Sequence, residues 1–549
     1  MRRIVILAVF AALFGSLPVW GQSCYWVAFT DKNNSSYSLS NPEEFLSERA
    51  IRRRENQNIA IDSLDLPVNP KYISRVLQRG ATLLHSSKWL NGITVKTTND
   101  NFVDNTLLLP FVKEVQLTKR PTGTKSAVNK FTEPEAPYQN LEIDTTLYGN
   151  SVYQVAQLNG QFLHNQNFRG QGKHIAVLDA GFYRTDQYPA FDSLWAGGQI
   201  LGTKNFVDQE EGVFEGHYHG MSVLSVMGGN VPGHLIGTAP KASYWIIRTE
   251  DVYSEFLVEE DNWVVGAEFA DSVGVDIINS SLGYCTFDDP GMDHTHSDMD
   301  GHTTRISKGA NIAASRGMLV FASAGNEGRQ NNLWKYIITP SDGDSVLAIG
   351  AANKDGVPAP FTSPGPASDG DVKPNVSAVG WNTIIQRSNG KIGTGNGTSY
   401  SSPVVAGAAA CLWQANPHAS AAEVKRALEQ SAHLYVNPDS LLGYGIPDLK
   451  LADKILKTSI LKQWADDATW LVYPNPASNY IVLQKNGNAT LGKVQLAFYT
   501  LDGKLVRKEE KPDAVKIIIQ NLQALPQGLL LLQIISDDVT ESVKIRKSP

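Results

Sequence analysis

The pattern of apolar and polar positions divides the chain before any motif is considered. Met1-Arg2-Arg3 is a short basic start, Ile4 to Phe14 is an apolar run, and Gly15, Ser16 and Pro18 break it. With Val19 and Gly21 placed for cleavage before Gln22, this predicts a secretory signal peptide over 1–21. The run is short for a bilayer span, and Gly21-Gln22-Ser23 lacks the Leu that would make Cys24 a lipid-attachment site. Residues 22–118 read as a small α+β unit. Its strands are Tyr25 to Phe29, Ile93 to Lys96 and Val112 to Leu117. A helix opens at Ser40-Asn41-Pro42-Glu43-Glu44 and carries Phe45, Leu46 and Ile51 into Arg52-Arg53-Arg54. Residues 119–147 are poor in apolar side chains and rich in Pro, Thr, Lys, Asn and Glu, which predicts an exposed linker.

From 148 to 455 short β-branched runs alternate with helical stretches. The runs are His174 to Leu178, Ser243 to Ile247, Val275 to Asn279, Met318 to Phe321 and Val346 to Ile349; the helices fall at 220–228, 259–273 and 303–316. This alternation predicts a mainly parallel sheet covered by helices. A linker over 456–467 leads to short strands separated by turns, among them Leu471 to Tyr473, Tyr480 to Leu483, Gln495 to Tyr499 and Leu529 to Ile535. Residues 468–549 are therefore expected to form a small all-β sandwich.

Composition narrows the function. The chain has 549 residues, 42% of them hydrophobic and 19% charged, with a formal net charge of −7. Wholesale disorder, a collagen repeat and a coiled coil are excluded. A mildly acidic balance without long basic runs argues against nucleic-acid binding. No segment after the signal peptide is apolar enough for an integral membrane span in the mature form. The odd count of Cys24, Cys285 and Cys411 leaves at least one thiol outside any internal disulfide.

Four islands in the α/β region carry chemistry. Ile175 to Leu178 is an apolar strand ending in Asp179-Ala180-Gly181. Gly216-His217-Tyr218-His219-Gly220 places a histidine at the start of the apolar helix Met221 to Met227; His217 competes for that role, but His219 directly precedes the glycine. Phe321 to Ala324 leads into Gly325-Asn326-Glu327-Gly328, a glycine turn carrying an amide. Gly397-Thr398-Ser399 opens a helix of small residues through Ala410. Each alone has a plain structural reading as a turn or cap residue.

Together the islands resemble the subtilisin-like serine proteases, over roughly 148–450. Asn279-Ser280-Ser281-Leu282-Gly283 resembles the family's substrate-lining strand, and Gly443-Tyr444-Gly445-Ile446-Pro447-Asp448 its closing segment. The resemblance implies a subtilisin-like α/β catalytic domain and a secreted endopeptidase acting on protein or peptide substrates. By it, Ser399 would be the nucleophile, His219 its base and Asp179 the group orienting the imidazole. Asn326 and the Ser399 backbone N–H would bind the oxyanion. Ser281, Leu282, Gly283, Ala324 and Gly325 would wall a tolerant apolar pocket for the residue before the cut. Tyr400 and Ser401 stand where the family usually has Met and Ala, so altered packing beneath the site is expected.

The flanks carry their own likenesses. Glu44 to Ala50 and Ser87-Lys88-Trp89-Leu90-Asn91-Gly92 resemble the propeptide of Bacteroidetes-type subtilases, which would act as an intramolecular inhibitor and be cut within 119–147. Tyr473-Pro474-Asn475-Pro476, Leu501 to Val506 and Val543-Lys544-Ile545 resemble the sorting domain of type IX secretion cargo. These imply the Sec and type IX machineries as partners and an extracellular or cell-surface location. No cofactor is required by this chemistry. Asp288, Asp289, Asp293, His294, His296, Asp298, Asp300 and His302 could bind Ca²⁺ or another metal, against the simpler reading of a solvated loop. A serine-carboxyl peptidase would want Glu at His219 and Asp at Asn326. A non-catalytic exported binding protein on the same scaffold would be expected to have lost one of the four positions.

Overall fold

The computed structural model describes residues 22–121, 130–137, 147–208, 211–329, 332–467, 470–485, 492–536 and 539–547. The signal-peptide reading of 1–21 lies outside them. The chain forms two compact units, Met1–Asp453 and Lys454–Pro549.

The first unit begins with a four-stranded antiparallel sheet in the order Ala81–Ser87, Gly92–Thr97, Ser23–Phe29, Val112–Lys119. Val27, Phe29, Ile93 and Val95 form one core with Val76 and Phe102, residues of the helices Pro70–Leu77 and Phe102–Leu107. The helix expected from Ser40 is only a single tight turn at Pro42–Glu44. The α-helix begins at Glu48, because the Ser47 hydroxyl accepts the Ala50 N–H at 3.2 Å whereas Asn41 makes no side-chain cap.

The same unit continues into a seven-stranded sheet in the order Val376–Val379, Leu347–Ala352, Leu319–Ser323, Ile277–Ser280, His174–Asp179, Ser243–Arg248, Ile200–Asn205. Every pairing in it is parallel. The strands read as near-continuous apolar runs because both faces are covered. Helices Val258–Ser272 and Arg305–Ser315 share a core with Ala176, Leu178, Ile278 and Val320. Helices His219–Gly228 and Thr398–Ala415 pack against each other and the sheet. The first strand of this sheet, His174–Asp179, lies in its interior, and the chain fills one side before crossing to the other. A crevice opens at such a switch point, beyond the C-terminal strand ends.

Within 130–137, expected as exposed linker, Lys130, Phe131, Glu133, Pro134 and Ala136 are half-buried, so that reading is corrected for them. The segment 456–467 is helical, the end of a helix spanning Leu449–Asp467. The second unit holds two antiparallel sheets, Trp470–Tyr473, Ile481–Lys485, Lys516–Ile519 and Leu505–Pro512, Lys493–Thr500, Gly528–Ser536, Val539–Lys547. Leu483 and Ile519 of the first sheet share one core with Leu496, Leu532 and Ile534 of the second, as in a sandwich.

Candidate active site

Asp179 ends the strand His174–Asp179 and is fully buried. Its Oδ1 accepts the Ala180 N–H at 2.7 Å and bonds His219 Nδ1 at 2.8 Å. His219 opens its helix and reaches Asp179 because Gly220 follows it: a Cβ there would lie 2.6 Å from the Gly181 carbonyl oxygen and 2.7 Å from Asp179 Cβ. His217 is not the partner of Asp179. Its Nδ1 accepts the His219 backbone N–H at 3.3 Å, and burial, then the neighbouring His219, pushes its pKa down to about 3.

Ser399 sits in the first turn of Thr398–Ala415, preceded by Gly397 at φ +147°. Pro403 has no N–H to offer the Ser399 carbonyl, four residues back. The Ser281 hydroxyl donates to that carbonyl instead, at 2.8 Å. Ser281 Oγ in turn accepts from Asn279 Nδ2 at 3.2 Å, and Asn279 Oδ1 accepts from the Ser402 hydroxyl at 2.9 Å. A helix-breaking residue thus becomes the reason the serine turn is tied to the neighbouring strand. Ser399 Oγ donates to the Ser281 carbonyl oxygen at 3.4 Å; among the described residues no hydrogen bond joins it to His219. Both side chains face the same crevice.

Asn326 Oδ1 accepts the Thr398 N–H at 2.9 Å and the Thr398 hydroxyl at 3.1 Å. Fixing the amide oxygen leaves Nδ2 to the crevice, on the same side of Gly397 as the Ser399 backbone N–H. A carboxylate-oriented imidazole, a primary hydroxyl and converging N–H donors are the parts that acyl transfer needs.

Of the expected wall residues, Ser281, Leu282, Gly283 and Gly325 line the crevice. Ala324 does not; it follows the strand Leu319–Ser323 and is fully buried in a small core with Ile337 and Ala367. The wall is also more polar than expected, since Ser323, Thr286 and Glu327 contribute to it. Tyr400 is buried, but it forms a side of the crevice with its ring 6.0 Å from that of His219, so its effect is not confined to packing beneath the site.

The acidic loop 288–302 does not gather its ligands. Asp289 accepts the Gly291 N–H at 3.0 Å, Asp293 that of Phe287 at 2.7 Å, Asp298 that of Thr295 at 2.7 Å and Asp300 that of His302 at 2.8 Å. Among the described residues the converging carboxylate groups lie elsewhere, at Glu250, Glu255, Glu259 and at Asp344, Asp369, Asp371. All three cysteines are free thiols.

Two features escaped the sequence reading. Lys130, Phe131, Thr132, Glu133 and Pro134 run through the crevice, and Glu250 and Glu255 line it. The signal was the dense run of acids from Glu250 to Asp261, which stands where a strand turns into a helix. Helix Val258–Ser272 is also the docking face for the N-terminal domain. Its Asp271 pairs with Arg53 at 2.5 Å, with Arg54 at 2.8 Å and with Lys88 at 2.9 Å, all buried or nearly so. Burial opposes ionisation there, but Lys88, Arg53 and Arg54 outweigh it and hold the Asp271 carboxyl well below its ordinary range. Glu268 accepts the Ser87 hydroxyl at 2.5 Å and the N–H groups of Lys88 and Trp89 at 2.9 and 3.0 Å.

The model of the subtilase family matches residues 170–445, just over half of the chain. The chain belongs to the subtilase family. It is a subtilisin-like serine endopeptidase. The model of the Bacteroidota peptidase S8 propeptide domain matches 24–133, and that of a secretion system C-terminal sorting domain matches 471–547. The subtilase is thus made with its propeptide and with the type IX sorting domain that implies secretion or surface display. Among the described residues no helix is long and apolar enough to cross a membrane. Subtilisin E of Bacillus subtilis (strain 168) is 28% identical over 324 residues, 58% of this chain and 76% of its own. A subtilisin of Bacillus pumilus is 28% identical over 303 residues, 55% of this chain and 98% of its own. A solved structure described as "Structure of Prenylagaramide maturation protease PagA" aligns at 22% identity with a TM-score of 0.43, over 54% of this chain and 98% of that one.

Proposed function

We propose that this subtilase hydrolyses peptide bonds with Ser399 as nucleophile, His219 as general base and Asp179 as the group that fixes the imidazole. The observation that carries the reading is the 2.8 Å bond to buried Asp179 from Nδ1 of His219, which lines one crevice with Ser399. Asp179 holds the proton on Nδ1, so Nε2 is left as the acceptor for the Ser399 proton. A rotation of the Ser399 side chain exchanges its bond to the Ser281 carbonyl for one to Nε2. Ser399 Oγ then attacks the carbonyl carbon, and the oxyanion is met by Asn326 Nδ2 and the Ser399 backbone N–H. The imidazolium returns its proton to the leaving amine, giving an acyl-enzyme that water hydrolyses by the same base.

The precursor is held inactive by its own chain. Phe131 packs its ring 4.6 Å from that of His219 and 5.4 Å from that of His217. The downstream part is held too: Trp381 Nε1 donates to the Pro137 carbonyl at 2.8 Å, and Arg329 donates to that of Glu135. A fluorophosphonate probe tests the assignment. The processed enzyme is expected to be labelled, and Ser399→Ala to be neither labelled nor cut from its precursor. Equal labelling of the Ser399→Ala protein would refute the assignment.

A further inference from the structure

Lys130 is sunk among carboxylates at the upstream end of the crevice. Its Nζ donates to Glu250, to Glu259 at 3.0 and 3.1 Å and to the Ser254 carbonyl oxygen at 2.9 Å, and pairs with Glu255 at 2.9 Å. These acceptors are held independently of the lysine. Glu250 Oε2 accepts the Tyr284 hydroxyl at 2.5 Å, and Glu259 accepts the N–H groups of Asp251 at 2.8 Å and Phe256 at 3.1 Å. Glu250 and Glu259 are buried, and Glu255 Oε1 is buried with no partner among the described residues. One ammonium therefore serves three carboxylates and leaves an acceptor to spare. Burial pushes the Glu255 and Glu259 carboxyls up, as expected of a site short of positive charge.

The register of the segment follows from its neighbours. Phe131 lies on His219, and Glu133 reaches to 3.5 Å from the Tyr400 hydroxyl and 3.5 Å from Arg387 on the far side. The chain thus passes the reactive groups between Phe131 and Glu133, at Thr132, which lines the same crevice as Ser399. The match to the propeptide family ends at residue 133, at this same point.

We infer that Glu250, Glu255 and Glu259 form a substrate subsite for a lysine or arginine two residues before the one whose carbonyl is attacked, and that Lys130 fills it in the precursor. The inference rests on the proposed roles of Ser399 and His219. Cleavage after Thr132 and departure of the propeptide remove Lys130 with it. Three neighbouring carboxylates are then left in a buried site without a cation, and an incoming basic side chain restores the pairing. Arginine adds donors that can reach Glu255 Oε1.

The test uses quenched peptides of the sequence Asn-Xaa-Phe-Thr-Glu-Pro, with Lys, Arg, Gln or Glu at Xaa, and the mature enzyme obtained from the full chain, with chelator or with added calcium. We expect kcat/KM for Lys and Arg to exceed that for Gln by about 30-fold or more, and that for Glu by more still, in both buffers. The products should show a cut between Thr and Glu. In Glu250→Gln the ratio of Lys to Gln should shrink to within about 5-fold; being internal to one preparation, it is insensitive to the fraction folded. Equal rates for Lys and Gln with the parent enzyme overturn the subsite, as does a cut elsewhere in the peptide. A Lys preference seen only with chelator also overturns it, since a divalent ion would then occupy the carboxylates in the working enzyme. No turnover of any peptide, with no phosphonate labelling, overturns the nucleophile assignment and the subsite together.

Discussion

The reactive corner and the docking helix lie in one compact unit and are built on opposite principles. At the corner a single carboxylate, Asp179, holds His219, and Asp179, Asn326 and Ser399 are themselves placed by neutral donors: Ala180 N–H on Asp179, Thr398 on Asn326, Ser281 on the carbonyl of Ser399. On helix Val258–Ser272, partners are held by buried charge, with Arg53, Arg54 and Lys88 converging on Asp271. The difference suits the two tasks. A catalytic group must keep its proton inventory while charge passes through it, so fixed neutral donors serve best. An inhibitory domain must find one register on its partner, and complementary buried charges penalise every other register.

This contrast can be broken in graded steps. His219→Ala should cost about 10⁶ in kcat, the size known for loss of the nucleophile or base in subtilisin, with the fold kept; near-normal turnover would remove the corner from the mechanism. Asp271→Ala should act the other way, leaving Arg53 buried with only backbone carbonyls as acceptors and Arg54 with Asp65 as its remaining carboxylate. In a Ser399→Ala precursor, where no cutting confuses the reading, it should lower unfolding stability by about 3–5 kcal/mol in denaturant titration. Asn326→Ala should lower kcat by about 10²–10³ with little change in KM, as removal of an oxyanion donor does. Gly220→Ala should cost about 10² in kcat/KM by prising His219 from Asp179.

The smallest effect concerns pH. Because the folded-state pKa of Asp271 is depressed, its contribution is present above the ordinary carboxylate pKa and is lost only as pH falls through the lower folded value. Asp261, which accepts Thr94 at 3.0 Å, behaves oppositely: burial raises it to about 6, so its ionised form is the costly one and acidification relieves that cost. Lowering pH from 7 to 5 should therefore not weaken the hold of these two carboxylates. A Ser399→Ala, Asp271→Asn precursor should show the same change in stability over that window as Ser399→Ala alone.

The corner was legible in the sequence because each of its residues depends on local neighbours. Gly220 after His219, Gly325 before Asn326 and Gly397-Thr398 before Ser399 are short-range requirements that a motif can carry. The docking face was not legible. Arg53 and Asp271 are 218 residues apart, and nothing near either reports the pairing. Ala324 shows the limit of the motif itself, since it is buried in the core while Gly325 beside it faces the crevice. The segment 130–134 misled because its composition is that of a linker; the partners of Lys130, Phe131 and Glu133 are groups of the cleft, far away in the chain.

The central claim is that one hydroxyl, on Ser399, becomes the acyl carrier. Labelling the mature enzyme with a fluorophosphonate, digesting it and locating the adduct by mass spectrometry tests this directly. The account predicts a single adduct on Ser399, lost in His219→Ala. An adduct on a different residue, or undiminished labelling without His219, would contradict it.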